Sequence, residues 1–237
     1  STKMIKSNIL ALDASTEALS IVLHVKGQTF HHFEECPQQH SQKILPLIDE
    51  LLSKANCKLK DLDVIGFGQG PGSFTGVRIS VAIAQGLAYS TNLPLIGVST
   101  LAIMAQQAFE QNGSTHVYPA IDARMGEIYF AQYQANNNLM QLVNQECVLK
   151  PELLNADYIS DNEQRYVAVG TGFKTYPDAL NNFDSVSINS DITLPDARFM
   201  LALVDAEFLA GNGVKASEAQ PKYVRDTVTW KKLPGRE

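Results

Sequence analysis

The chain has 237 residues, 45% of them hydrophobic and 19% charged, with a formal net charge of −6. That is enough apolar material for a full core in one large domain or two lobes. The acidic balance argues against an unaided grip on a polyanion, because nucleic-acid affinity comes mainly from Lys and Arg neutralising phosphates. No apolar run approaches the ~20 residues that span a bilayer, and the start "STKMIKSNILALD" lacks a signal-peptide core with a cleavage site. A cytoplasmic chain without membrane contact is the expectation.

Asn8 to Leu12, Leu19 to Val25 and Gln28 to Glu34 read as three short strands joined by "DASTEA" and "KG", an antiparallel meander. A helix follows, with Ser41 as its cap and Ile44, Ile48, Leu51, Leu52 and Ala55 along one face; Pro46 removes one early hydrogen bond. Asp63 to Gly68 is a strand, and the stretch "GFGQGPGSFTGVRIS" then leads into a helix over about Thr75 to Thr91. A strand at Leu95 to Val98 precedes a helix that Ser99 caps and Gly113 ends. From His116 the pattern restarts: strand "HVYPAID", turn "ARMG", strand "EIYFAQYQ". The second half continues through "YVAVGTGF" and a helix near Asp196 to Ala210.

The two starts superpose. "ILALDASTEALSIVL" and "VYPAIDARMGEIYFA" share Ala-(Leu/Ile)-Asp-Ala, with Asp13 and Asp122 equivalent. Four matching positions are a weak repeat signal, but the order of elements matches too. Two lobes that each open with such a hairpin give an α/β protein of the actin-like ATPase (RNase H-like) class, with mixed sheets flanked by helices. The expected lobes are residues 1–112 and 113–216, with residues 217–237 returning to the first.

The glycine loop fits no phosphate template. It has no Lys for a Walker cradle, and Gly68-Gln-Gly70-Pro-Gly72-Ser73 puts Ser where a dinucleotide fingerprint needs glycine. Ser73 or Thr75 can cap the helix, whose free amides remain a generic anion site. Gly76, Ser80, Ala84 and Ala88 recur every fourth residue, a small-residue stripe suited either to another helix or to the chain's own sheet. Asp13, Ser15 and Thr16 form a strand-end carboxylate with two hydroxyls, as in the phosphate turns of actin-like ATPases, and a plain Asx or Ser/Thr turn explains them equally. The second turn carries Arg124 and Met125 where a phosphate needs small residues. Gly170-Thr-Gly172 reads either as a relic adenosine loop or as an ordinary strand-to-helix turn.

No paired histidines or cysteines occur at metal-binding spacing, and Cys36, Cys57 and Cys147 are too few and too scattered for a disulfide framework. No nucleophile elbow is present either. The tail "PKYVRDTVTWKKLPGRE" is locally basic through Lys222, Arg225, Lys231, Lys232 and Arg236, a solvated end or a docking element for an acidic partner or RNA.

Six ordered segments, "ALDAST", "HSQKILPLID", "GQGPGSFTGVRISVAIAQGLA", "LPLIGVSTL", "AIDARMGEIYFAQY" and "TVTWKKLPG", resemble the TsaB (YeaZ) family over essentially the whole chain. The resemblance implies an accessory subunit of the bacterial machinery that makes threonylcarbamoyladenosine next to the tRNA anticodon. It implies a heterodimer with the catalytic paralogue TsaD, joined by the ATPase TsaE, with tRNA reached only through the complex and a homodimer when the chain is alone. The family interface is a bundle of the first two helices of each subunit. Here that nominates Ser41, Ile44, Leu45 and Ile48 on the first, and Ser73, Thr75, Gly76, Ser80, Ala84 and Ala88 on the second; Ala84→Arg is the change expected to break it. Where the paralogue carries a metal-binding His pair, this chain has Thr100 and Met104. Neither replaces an imidazole, so no catalytic residue, metal or cofactor is expected, and Asp13, Ser15 and Thr16 are at most a relic phosphate turn. The alternative reading is a nucleotide-binding ATPase or kinase-like enzyme of the same superfamily; a metalloprotease lacks its ligands.

Overall fold

The computed structural model describes residues 4–160 and 164–224. Contacts divide the chain into two units: residues up to Ile103 together with Leu194–Lys222, and Met104–Thr193.

The first unit opens with the expected meander. β1 (Ile9–Asp13) pairs antiparallel with β2 (Ala18–Val25), which pairs with β3 (Gln28–Glu35). β1 ends one residue later than the alternation suggests, so Asp13 closes the strand opposite Ser20. α1 (His40–Lys54) follows, then β4 (Val64–Gly68), α2 (Phe74–Thr91) and β5 (Leu95–Val98). β4 lies parallel to β1, and β5 parallel to β4, giving the order β3-β2-β1-β4-β5. Strand alternation sends Leu10, Leu12, Leu19, Ile21, Leu23, Ile65 and Phe67 to one face, where they form a core with Ile44, Ile48 and Leu51 of α1 and Val81, Ala84 and Ala88 of α2.

Ser41 is not a cap. The helix begins at His40 after Gln39, with no side-chain cap bond. His40 is buried against β2, its Nε2 3.1 Å from the Ala18 carbonyl oxygen, and the helix starts two residues earlier than a Ser41 cap would give. Ser73, by contrast, caps α2: its Oγ accepts the Gly76 N–H at 2.9 Å. α3 (Thr100–Asn112) is preceded by Ser99, whose Oγ accepts the Leu101 N–H, and is followed by Gly113 at φ +71°.

The second unit repeats the plan. β6 (His116–Arg124) pairs antiparallel with β7 (Glu127–Phe130) and parallel with β11 (Tyr166–Val169), as β1 does with β2 and β4. The single strand expected over "EIYFAQYQ" is two, β7 and β8 (Tyr133–Asn136). The break faces Pro119 of β6, which has no N–H to continue the ladder; only its carbonyl is used, by Ala131 N–H at 3.2 Å. Three strands escaped the pattern: β9 (Leu139–Leu142), β10 (Cys147–Leu149) and β12 (Val186–Ile188). Tyr118 anchors this core, stacked on Tyr166 at 4.4 Å and Phe130 at 5.5 Å, with its hydroxyl accepting the Ser160 N–H. Together the two mixed sheets with flanking helices are the expected actin-like architecture.

The unit boundaries differ from expectation: residues Met104 to Asn112, expected in the first lobe, fall in the second unit. The segment near Asp196 to Ala210 belongs to the first unit, not the second. It forms a 3₁₀ turn at Ala197–Met200 and α5 (Leu201–Leu209). Val204 packs where Gly66 has no side chain, the buried Asp205 carboxylate accepts the Lys6 and Ser7 N–H groups, and Ser20 Oγ accepts the Ala197 N–H at 2.7 Å. The chain then runs along α2, where Gln85 Nε2 donates to the Ala216 and Ala219 carbonyls, and Lys222 N–H reaches Gln69 O. The rest of the basic tail, with Arg225, Lys231, Lys232 and Arg236, lies outside the described residues.

Glycines on α2 are expected to behave oppositely. A Cβ at Gly76 would collide with the Ala14 carbonyl, so Gly76→Ala should lower the unfolding free energy by about 2–3 kcal/mol in urea titration. A Cβ at Gly86 meets nothing within 4 Å, so Gly86→Ala should raise it by about 0.5–1 kcal/mol.

Candidate functional site

The turn after β1 is closed. Asp13 and Ser15 are fully buried, and Ser15 Oγ lies 2.8 and 3.0 Å from the two Asp13 carboxylate oxygens. Thr16 is half-buried and its Oγ1 accepts the Ala18 N–H. Around them runs the glycine-rich chain. A Cβ at Gly68 would strike the Asp13 carboxylate, one at Gly72 the Ser15 backbone, and one at Gly76 the Ala14 carbonyl. Ser73 N–H donates to Ser15 O, and Ala14 N–H donates to Ser80 Oγ, both at 2.8 Å. The glycines therefore receive the hairpin turn itself, which leaves Asp13 and Ser15 without exposed surface.

The two other candidate phosphate turns differ from each other. In the β6–β7 turn, Arg124, Met125 and Gly126 all have positive φ, and Met125 is 95% exposed. Gly170, at φ +104°, and Gly172 lie against Ala120 of β6, with no room for a Cβ, so this is a close strand-to-helix turn leading into α4 (Thr171–Thr175). Thr100 and Met104 are fully buried, and the Thr100 hydroxyl donates to Pro71 O at 2.6 Å. Among the described residues no three His, Cys, Asp or Glu side chains are grouped to hold a metal ion, and no helix is long and apolar enough to cross a membrane.

The helical surface needs a correction. Gly76, Ser80, Ala84 and Ala88 are all buried within the chain. Their row faces the chain's own sheet, because Ser80 bonds the β1–β2 turn and Ala84 and Ala88 sit in the core. Ile44 and Ile48 of α1 are buried there too. These six side chains have no surface to offer a partner. Ser41, Leu45, Ser73 and Thr75 remain exposed. The opposite side of α2 shows a second row with the same four-residue spacing, Phe74, Arg78, Ala82, Gly86 and Ser90, every member exposed. Phe74 is 61% exposed, Tyr89 beside the row 72%, and Leu45 on α1 47%. Half-buried Ile79, Ile83 and Leu87 flank it. Both helices pack on the same face of the sheet and touch each other. The signal for this outward row was already in the residue types: two small residues, Ala82 and Gly86, one turn apart between aromatic ends.

Burial pushes the Asp13 carboxyl up from 3.8 to about 6, with the Ser15 hydroxyl and N–H pulling the other way. The native chain thus holds this proton more tightly than the unfolded chain. The resulting stability is fully present below 3.8 and is lost as pH rises through about 6. Asp13→Asn keeps an acceptor for Ser15 and removes the buried charge. It should stabilise the chain by up to ~3 kcal/mol near pH 7.5 and converge with the parent near pH 4, as read by denaturation at the two pH values.

Comparison with known proteins agrees with the fold. A family model described as TsaD, tRNA N6-adenosine threonylcarbamoyltransferase, matches residues 32–230. The tRNA threonylcarbamoyladenosine biosynthesis protein TsaB of Escherichia coli is 45% identical over 97% of this chain and 99% of its own, and that of Haemophilus influenzae is 42% identical over 97% and 98%. The solved structure of YeaZ from Pseudomonas aeruginosa superposes with a TM-score of 0.86 at 38% identity, covering 92% of this chain and all of that one. With near-complete mutual coverage in sequence and in structure, the chain belongs to the TsaB (YeaZ) family.

Proposed function

We propose that the chain is a non-catalytic subunit in tRNA threonylcarbamoyladenosine synthesis. It binds a TsaD-type transferase through the outward face of α1 and α2 and makes that partner competent, together with a TsaE-type ATPase, to transfer the threonylcarbamoyl group to adenosine next to the anticodon. The observation that carries this reading is the exposed row of α2. Its buried row already holds the sheet, so the small residues Ala82 and Gly86, between Phe74 and Tyr89 and with Arg78 as the one charged member of the row, are left for another helix. Small residues let helix backbones approach closely, and an exposed apolar strip of this kind marks an interaction surface.

The enclosed Asp13, the Arg124 and Met125 turn, and the buried Thr100 and Met104 support a role without transfer chemistry. The net charge of −6 supports tRNA being held by the complex and not by this chain alone, acting in the cytoplasm. Without the transferase, a second copy covers the same strip.

Ala82→Arg tests the face, because Ala82 is exposed and the substitution spares the core. The variant should keep its melting temperature while pairing with the TsaD-type partner falls at least ~100-fold, as bulk and unpaired charge block a close helix contact. Ala84→Arg is no longer a probe of the interface; it should unfold the first unit, since Ala84 is fully buried. An Ala82→Arg variant that pairs and supports transfer normally would refute the assignment. Calorimetry of the isolated chain with ATP and magnesium should show no turnover; turnover would favour the ATPase or kinase-like alternative.

A further inference from the structure

We infer that Arg78 selects the partner by reading a carboxylate on the helix that crosses α2, and so favours an acidic partner helix over a second copy of this chain. This rests on the reading that the outward face of α1 and α2 is the partner-binding face. Arg78 is exposed and is the only charged residue in the 18 residues of α2. Its guanidinium carbon lies 3.7 Å from the centroid of the Phe74 ring, one turn earlier on the same row. Stacking holds the side chain in place while the guanidinium edge keeps its N–H donors for another group. No hydrogen bond or ion pair joins the Arg78 side chain to another described residue. A side chain held in this way loses less rotamer freedom when it pairs.

The small residues next along the row, Ala82 and Gly86, allow a helix to close on α2, which brings its backbone over Arg78 as well. Covering the guanidinium without an anion would bury an unpaired charge, which is strongly unfavourable. The partner that fits therefore carries a carboxylate facing the first turns of α2 and small or apolar residues beyond it. α2 cannot supply that carboxylate to a second copy, because it contains no Asp or Glu. On α1 the exposed carboxylates are Asp49 and Glu50, and Glu50 already pairs with Lys54 at 3.3 Å. Asp49 is thus the group a second copy would have to bring.

The experiment measures affinity for the transferase-type partner, and self-association of the chain, for the parent, Arg78→Met, Asp49→Asn and Ala82→Arg at low and high salt. Arg78→Met, exposed and compatible with a helix, should weaken pairing with the partner at least ~tenfold and flatten its salt dependence. Self-association should strengthen in Arg78→Met, which removes a charge that a second copy leaves unpaired, and stay within about twofold in Asp49→Asn, a difference inside the scatter of a neutral surface change. Unchanged partner affinity in Arg78→Met, with loss in Ala82→Arg, would overturn the inference while leaving the face intact. Unchanged affinity in both would remove the face as well. Equal weakening of self-association by Arg78→Met and Asp49→Asn would show that the ion pair serves the homodimer, and would overturn the selectivity.

Discussion

The first unit depends on one close approach, that of the turn at Asp13 to Ser15 to the chain between Gly68 and Ser80. Three glycines four residues apart receive three successive residues of the turn, and Ser73 and Ser80 add hydrogen bonds on either side. The contact fixes where α2 starts and which of its faces meets the sheet. Side chains two positions apart on a helix point about 200° apart. With Gly76, Ser80, Ala84 and Ala88 turned inward, Phe74, Arg78, Ala82 and Gly86 must therefore turn outward. The exposed row, the proposed partner face, is thus a consequence of how the glycine loop is packed.

The second unit uses the same device on a smaller scale. Gly170 and Gly172 follow the parallel neighbour of β6 and lie against Ala120, as the loop after β4 lies against the turn after β1. In both units the glycines admit the close approach of neighbouring backbone. The buried Asp13 is an acid whose carboxylate is hydrogen-bonded, among the described residues, by its neighbour Ser15. Holding it at neutral pH works against stability.

Much of this was legible in the residues. Alternation located the meander and the second hairpin, and Ser73, Ser99 and Gly113 marked helix ends through local chemistry. The repeat of Asp13 and Asp122 announced two similar halves. What failed depended on contacts distant in sequence. Periodicity showed that Gly76, Ser80, Ala84 and Ala88 share a face, but not that the face was already taken by Ala14 and the sheet. The placement of α5 rests on Val204 over Gly66 and on Asp205 at Lys6 and Ser7, contacts spanning well over a hundred residues. Pro119 split a strand whose own sequence reads as continuous, because the missing donor lies on the opposite strand.

On the proposed function the chain contributes surface and rigidity, with the reacting groups on its partner. The glycine cradle gives rigidity, and the outward row of α2, with Leu45 of α1 nearby, gives surface. The most direct test is thiol labelling with and without the transferase-type partner, using chains in which the half-exposed Cys57 is replaced by Ser. The account predicts that the Tyr89→Cys variant, on the outward side of α2, loses its reactivity when the partner is added, while the Leu209→Cys variant on α5 keeps its own. Protection at Leu209→Cys with continued labelling at Tyr89→Cys would contradict it.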